Sequence, residues 1–214
     1  MQKNILSDLN QGNNLKKNIG LFSPEKISLI IICFGILIRV IQYLYNRSLW
    51  ADEAVLALNI VNRSYLELLL PLDYDQGAPI GFLWIEKLSI QIFGNNEYAL
   101  RLFPFVSSII SIFIFHRLAK IFLKRQAVPI ALVFFVSLYY LLYFATELKQ
   151  YSSDVLVALI SCLIVIKIAT ERLNMIKTII YSLLGSLIIW FSHPAVFTLG
   201  GVGASIFVID IVKR

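Results

Sequence analysis

The chain has 214 residues, of which 58% are hydrophobic, and a formal net charge of +6; its mean hydropathy is +0.78. Soluble domains are about 45–50% apolar, and the excess here falls in blocks long enough to cross a bilayer, which excludes an ordinary soluble enzyme and points to a polytopic membrane protein. The basic residues sit at the ends of those blocks, so the positive charge is not a nucleic-acid signal, and Cys33 and Cys162 both lie inside apolar blocks, which speaks against a disulfide framework or a zinc site.

Residues Met1–Lys26 are polar and rich in Asn and Lys, and read as a flexible cytoplasmic tail. They are followed by a run too long for a signal-peptide core. That run, Ile27–Tyr45, is the first span: roughly 28 Å at 1.5 Å per residue. It carries one charge, Arg39. Residues Asn46–Asn96 form the first loop. Within it, Asp52–Leu70 has helical periodicity and ends at Pro71, and Ile80–Phe93 reads as a second helix closed by Gly94. Both are expected to be amphipathic and juxtamembrane. Further spans are expected at Tyr98–Phe115, Ala127–Phe144, Asp154–Ile166, Thr178–Phe191 and Ala195–Val212. The predicted fold is therefore an all-α transmembrane bundle of about six spans. A tail, 1–26, precedes a membrane domain, 27–214, whose loop 46–96 carries the site.

Lys and Arg concentrate in the tail, in 117–125, in 167–177 and at Lys213-Arg214. The positive-inside rule puts these on the cytoplasmic side. Residues 46–96, 145–153 and His193 then face the other side, together with most of the acids.

Four features of this far side could carry chemistry. Asp52-Glu53 follows the first span directly. A carboxylate there can take a proton from an attacking hydroxyl; an acidic pair at a helix start is also a common cap and dipole partner. Glu147, Gln150, Tyr151 and Asp154 would share one helical face, with Lys149 beside it; this stripe could bind a phosphate through Lys149 and a sugar or metal through its acids, or be a solvated loop. Arg39 and Arg101 are candidates for phosphate, or snorkel to headgroups. His193, before Pro194, is a further polar candidate. There is no Gly-rich phosphate loop, nucleophile elbow, HExxH or Cys/His cluster, which disfavours a nucleotide-driven pump or a zinc protease.

The order of an Asp-Glu pair after the first span, then Pro79-Ile80-Gly81-Phe82-Leu83-Trp84, then Phe93–Pro104 with its FG-x-x-E-x-A-x-R-L-x-P spacing, then Glu147-Leu148-Lys149-Gln150-Tyr151-Ser152-Ser153-Asp154, resembles the GT-C membrane glycosyltransferases. The nearest groups are the protein O-mannosyltransferases and the lipid A aminoarabinose and galacturonosyltransferases. The resemblance implies an inverting transfer from a polyprenyl-phosphate sugar to a hydroxyl of a lipid, glycan or protein. It implies Asp52 as base and Glu53 as the second acid of the catalytic pair. Arg101, Glu147, Lys149, Tyr151 and Asp154, with Arg39 and His193, are expected to bind substrate, and a divalent metal ion is an optional participant. The expected location is a bacterial inner (plasma) membrane, with the site on its outer face among membrane lipids. Family members are usually longer, so the domain is expected to be incomplete or completed by a partner subunit. The alternative is a truncated, non-catalytic binding or scaffold subunit.

Overall fold

The computed structural model describes residues 23–171, 174–201 and 203–204. The tail through residue 22, Arg172, Lys213-Arg214 and the sixth expected span beyond residue 204 lie outside the described residues. The described elements are helical. Helix α1 spans Pro24–Tyr45; the Ser23 hydroxyl accepts from the Lys26 amide at its start, and Asn46, left-handed at φ 43°, closes it. Helix α2 is Ala51–Asn62, α3 is Ile80–Phe93, and α4 is Glu97–Phe122, capped by the Asn96 side chain. Helices α5 (Ala127–Ser137) and α6 (Tyr139–Tyr143) are followed by a 3₁₀ turn, Phe144–Thr146. Helix α7 is Tyr151–Thr170 and α8 is Met175–Ile189.

Three of these helices, α1, α4 and α7, are long and apolar enough to cross a membrane, fewer than the five spans expected within the described residues. The expected span 127–144 is broken at Leu138: α5 and the α6 segment meet at 59° and make a fourth crossing only if the bent pair counts as one. Helix α8 is shorter, at 15 residues. At 1.5 Å per residue it reaches roughly 22 Å, short of the hydrocarbon thickness.

Helix α4 is the hub, packing against α1, α3, α5 and α7. Its buried face carries Ser107, Ser108 and Ser111, small residues that let helices approach in a medium where burial alone gives no drive. Gly35 does the same for α1 and α5: a Cβ there would lie 2.7 Å from a Val136 methyl. One apolar cluster, with Ile32, Ile112, Leu132 and Val136, fills the middle of this bundle. A second, with Leu56, Ile60, Phe82, Leu83, Leu100 and Leu148, joins α2 and α3 to the end of α4.

The first loop differs from expectation in two ways. Helix α2 stops at Asn62, eight residues short, because Ser64 and Glu67 cap one another: the Ser64 amide donates to the Glu67 carboxylate at 2.7 Å, and the Glu67 amide to the Ser64 hydroxyl. That exchange starts a separate 3₁₀ turn, Glu67–Leu69. Helix α3 has the expected bounds but is not amphipathic. Phe82, Leu83 and Ile90 are buried while Trp84, Leu88 and Ile92 are exposed, and its two charges turn inward. Lys87 donates to the carbonyls of Ile60 and Val61, both at 3.0 Å, at the end of α2.

The other charge, Glu86, is fully buried and neither carboxylate oxygen has a partner. Burial raises its pKa well above the usual carboxylate value, so it is held as the neutral acid. The folded chain thus binds a proton that the unfolded chain releases above its own carboxyl range. Stability falls as pH rises from that range toward the folded pKa. Glu86→Gln removes this dependence, so its melting temperature relative to the native chain rises from about pH 5 to about pH 8. Detergent-solubilised melts measure this; a difference that does not change with pH contradicts it.

Candidate active site

The site is built where α1 ends. After Asn46 the chain runs without regular structure through Arg47–Trp50 and enters α2 with Asp52 and Glu53 in the first turn. The two acids point to different partners. Glu53 faces inward and is wholly buried. It receives Arg101 of α4 in a forked arrangement, with Nη2 at 2.9 and 3.1 Å and Nε at 3.2 Å. The Leu148 amide donates to the same carboxylate at 2.7 Å, and the Trp50 amide at 3.4 Å. Arg101 also donates to the carbonyls of Arg47 and Ser48. Glu53 and Arg101, both expected at the substrate, are thus joined to each other and to the backbone beneath it. A planar guanidinium suits this role because its fork meets both carboxylate oxygens.

Glu147 is also buried and pairs with Arg47 at 3.0 Å. Arg47 lies over the Tyr143 ring at 4.4 Å from its centroid. The stretch 147–150 is not helical, and α7 begins only at Tyr151, so the expected single face from Glu147 to Asp154 is not formed. A tight turn, in which the Lys149 amide donates to the Glu147 carbonyl at 2.8 Å, places Leu148 over Glu53 and turns Lys149 toward Asp52.

Asp52 stands at the rim, with 38% of its side chain exposed. Its Oδ2 lies 2.8 Å from the Lys149 ammonium, which is only 8% exposed. Its Oδ1 accepts from Gln76 Nε2 at 3.0 Å, and Lys149 donates to Gln76 Oε1 at 2.8 Å. Asp52, Gln76 and Lys149 therefore form a closed ring. The hydrogen bond from Lys149 chiefly holds the Asp52 pKa below its ordinary value; burial opposes it, and the hydrogen bond from Gln76 adds to the lowering.

Gln76 carries no charge and belongs to no motif, and sequence reasoning missed it. The only local signal is the loop that delivers it. Asn59, buried in α2, exchanges hydrogen bonds with the backbone of Asp73 at 2.8 and 3.3 Å. Arg63 holds Pro71 through its carbonyl and Asp73 through its carboxylate. Tyr74 and Asp75 are both left-handed, at φ 63° and 52°, a conformation uncommon outside glycine. Such strain persists where the surroundings impose it; here it turns the chain so that Gln76 reaches Asp52.

A cavity of about 260 Å³ is lined by Arg39, Ser108, Ser111, Tyr140, Tyr151 and Asp154. Arg39 is buried; it donates to the Gly35 carbonyl at 3.0 Å and its Nε has no partner. Tyr151 connects cavity and ring, being close enough to Asp52 and Glu147 to interact with their charges. His193 is exposed in the turn after α8, near Asp154. Among the described residues no group of three or more His, Cys, Asp or Glu side chains converges as metal ligands.

The family model for dolichyl-phosphate-mannose-protein mannosyltransferases matches residues 77–190. The match covers Arg101, Glu147, Lys149, Tyr151 and Asp154, and begins one residue after Gln76. No curated protein and no solved structure matches the chain.

Removing one partner of a buried ion pair leaves the other charge uncompensated, at about 3–5 kcal/mol. Glu53→Gln and Arg101→Met are each expected to lower the yield of folded protein sharply, and the double replacement to be milder than either. Size-exclusion profiles and melting temperatures in detergent check this; a double variant no milder than the singles contradicts it.

Proposed function

The chain belongs to the dolichyl-phosphate-mannose-protein mannosyltransferase family, and we propose that it transfers a sugar from a polyprenyl-phosphate donor to an acceptor hydroxyl, with inversion, at the non-cytoplasmic face of a membrane. Membership makes it a membrane glycosyltransferase of the GT-C kind. The observation that carries the finer proposal is the rim pair of Asp52 and Lys149 at 2.8 Å: one exposed carboxylate able to accept a proton, and one cation able to meet a phosphate.

The donor already holds an activated anomeric carbon on a phosphate leaving group. The acceptor oxygen forms its bond to that carbon from the face opposite the phosphate, and the carbon–oxygen bond to phosphate breaks with its electron pair going to the phosphate. Asp52 takes the hydroxyl proton. Lys149 meets the negative charge that grows on the leaving phosphate. Inversion needs no covalent intermediate. Glu53 and Arg101 act from beneath, holding the start of α2 and the 147–149 turn in register. The cavity with Tyr151, Asp154 and Arg39 offers space for the sugar and for the head of its lipid carrier. The membrane concentrates that carrier, and the lipid, glycan or protein acceptor arrives from the aqueous side.

Asp52→Asn keeps the shape of the side chain but leaves one acceptor where Gln76 and Lys149 met two, and it cannot take the proton. It is expected to lower transfer by on the order of 10²–10⁴-fold, with the amount of folded protein unchanged. The assay is transfer of label from polyprenyl-phosphate sugars in membranes containing the full chain. Undiminished transfer by the Asn variant removes Asp52 as base.

A further inference from the structure

In the ring both oxygens of Asp52 are engaged, Oδ1 by Gln76 at 3.0 Å and Oδ2 by Lys149 at 2.8 Å. An ammonium only donates and a carboxylate only accepts, so the Gln76 amide has one orientation: its oxygen toward Lys149 and its nitrogen toward Asp52. Arg47, the neighbouring cation, is committed to Glu147 and stacked on Tyr143. Lys149 is therefore the cation best placed to change partners.

Resting on the transfer reaction proposed above, we propose that Lys149 is shared between base and donor. Without donor it holds Asp52; a donor phosphate draws it away, so the base is released only once the donor is bound. Gln76 is the positioning residue that keeps Asp52 aimed meanwhile. The charges support this exchange. A sugar phosphodiester carries one negative charge, and the departing phosphate monoester gains a second. Over the same step Asp52 goes from an anion to a neutral acid. Lys149 lies between a charge that disappears and one that grows, and it stays protonated while moving from the first to the second. Oδ2, which Lys149 vacates, is the oxygen that takes the proton, because Gln76 continues to occupy Oδ1. Binding is consequently ordered, donor before productive acceptor.

The test is binding of a short-chain polyprenyl phosphate without sugar to the full chain in lipid nanodiscs, titrated by native mass spectrometry. Asp52→Asn removes the charge competing for Lys149, so the phosphate lipid binds more tightly, by about fivefold or more. A purely structural role for the pair predicts unchanged or weaker binding. Lys149→Gln binds about tenfold more weakly, and adding Asp52→Asn to it gives no further change, because the competition has no lysine left to act on. Should the lysine variant fail to fold, the rim variant Asp52→Asn decides alone. Gln76→Ala lowers kcat for transfer without raising KM for the donor, which a general loss of structure would not do. Unchanged or weaker binding by Asp52→Asn overturns the shared lysine even if that variant is dead in transfer. Tighter binding by Asp52→Asn with no transfer by the native chain keeps the shared lysine and overturns the reaction instead.

Discussion

The carboxylate of Glu53 is the point on which the site depends. An ion pair taken out of water is stable only if its remaining hydrogen-bonding capacity is met as well. Here the donors come from three separate stretches: Arg101 in α4, the Leu148 amide before α7, and the Trp50 amide at the start of α2. Satisfying one carboxylate thus brings three parts of the chain to a common place. Asp52 is the next residue along, and Lys149 follows Leu148, so the inner clasp sets the outer pair. An inner acid holds the frame and an outer acid meets the solvent, although the two are adjacent in sequence and of the same chemical type.

That division explains what was legible beforehand. The membrane class, the position of the Asp-Glu pair after the first span and the residue types around 147–154 all follow from composition and pattern. The separate roles of Asp52 and Glu53 do not, since both are acids in one helical turn and only the position of α4 decides which faces Arg101. Gln76 was hidden for the opposite reason. It is neutral, lies in a turn-rich loop, and acquires its meaning from the left-handed Tyr74 and Asp75 before it. Arg47 likewise takes its place only from Tyr143 and Glu147 around it, far away in the chain.

The helix boundaries show the same limit. Periodicity carried the first loop helix to Leu70, but two side chains of ordinary type, Ser64 and Glu67, end it by capping each other. The span expected through Phe144 has no proline or glycine at its break. Leu138 simply takes an extended conformation between two helical stretches. Hydropathy reports that a segment prefers lipid or core; it does not report whether the segment runs straight. The α3–α4 junction fared better, because Gly94 at φ 89° and the Asn96 cap fix the turn within the residues themselves.

The distances along the chain between the partners of Glu53 have a consequence for synthesis. Arg101 lies 48 residues after it and Leu148 lies 95 after it. At about 5–20 residues per second, the arginine emerges roughly 2–10 s after the acid, and the closing amide roughly 5–19 s after it. During that interval Glu53 lacks the two donors that come later in the chain, Arg101 and the Leu148 amide. The site becomes whole only when the 95 residues that separate Leu148 from Glu53 have been translated.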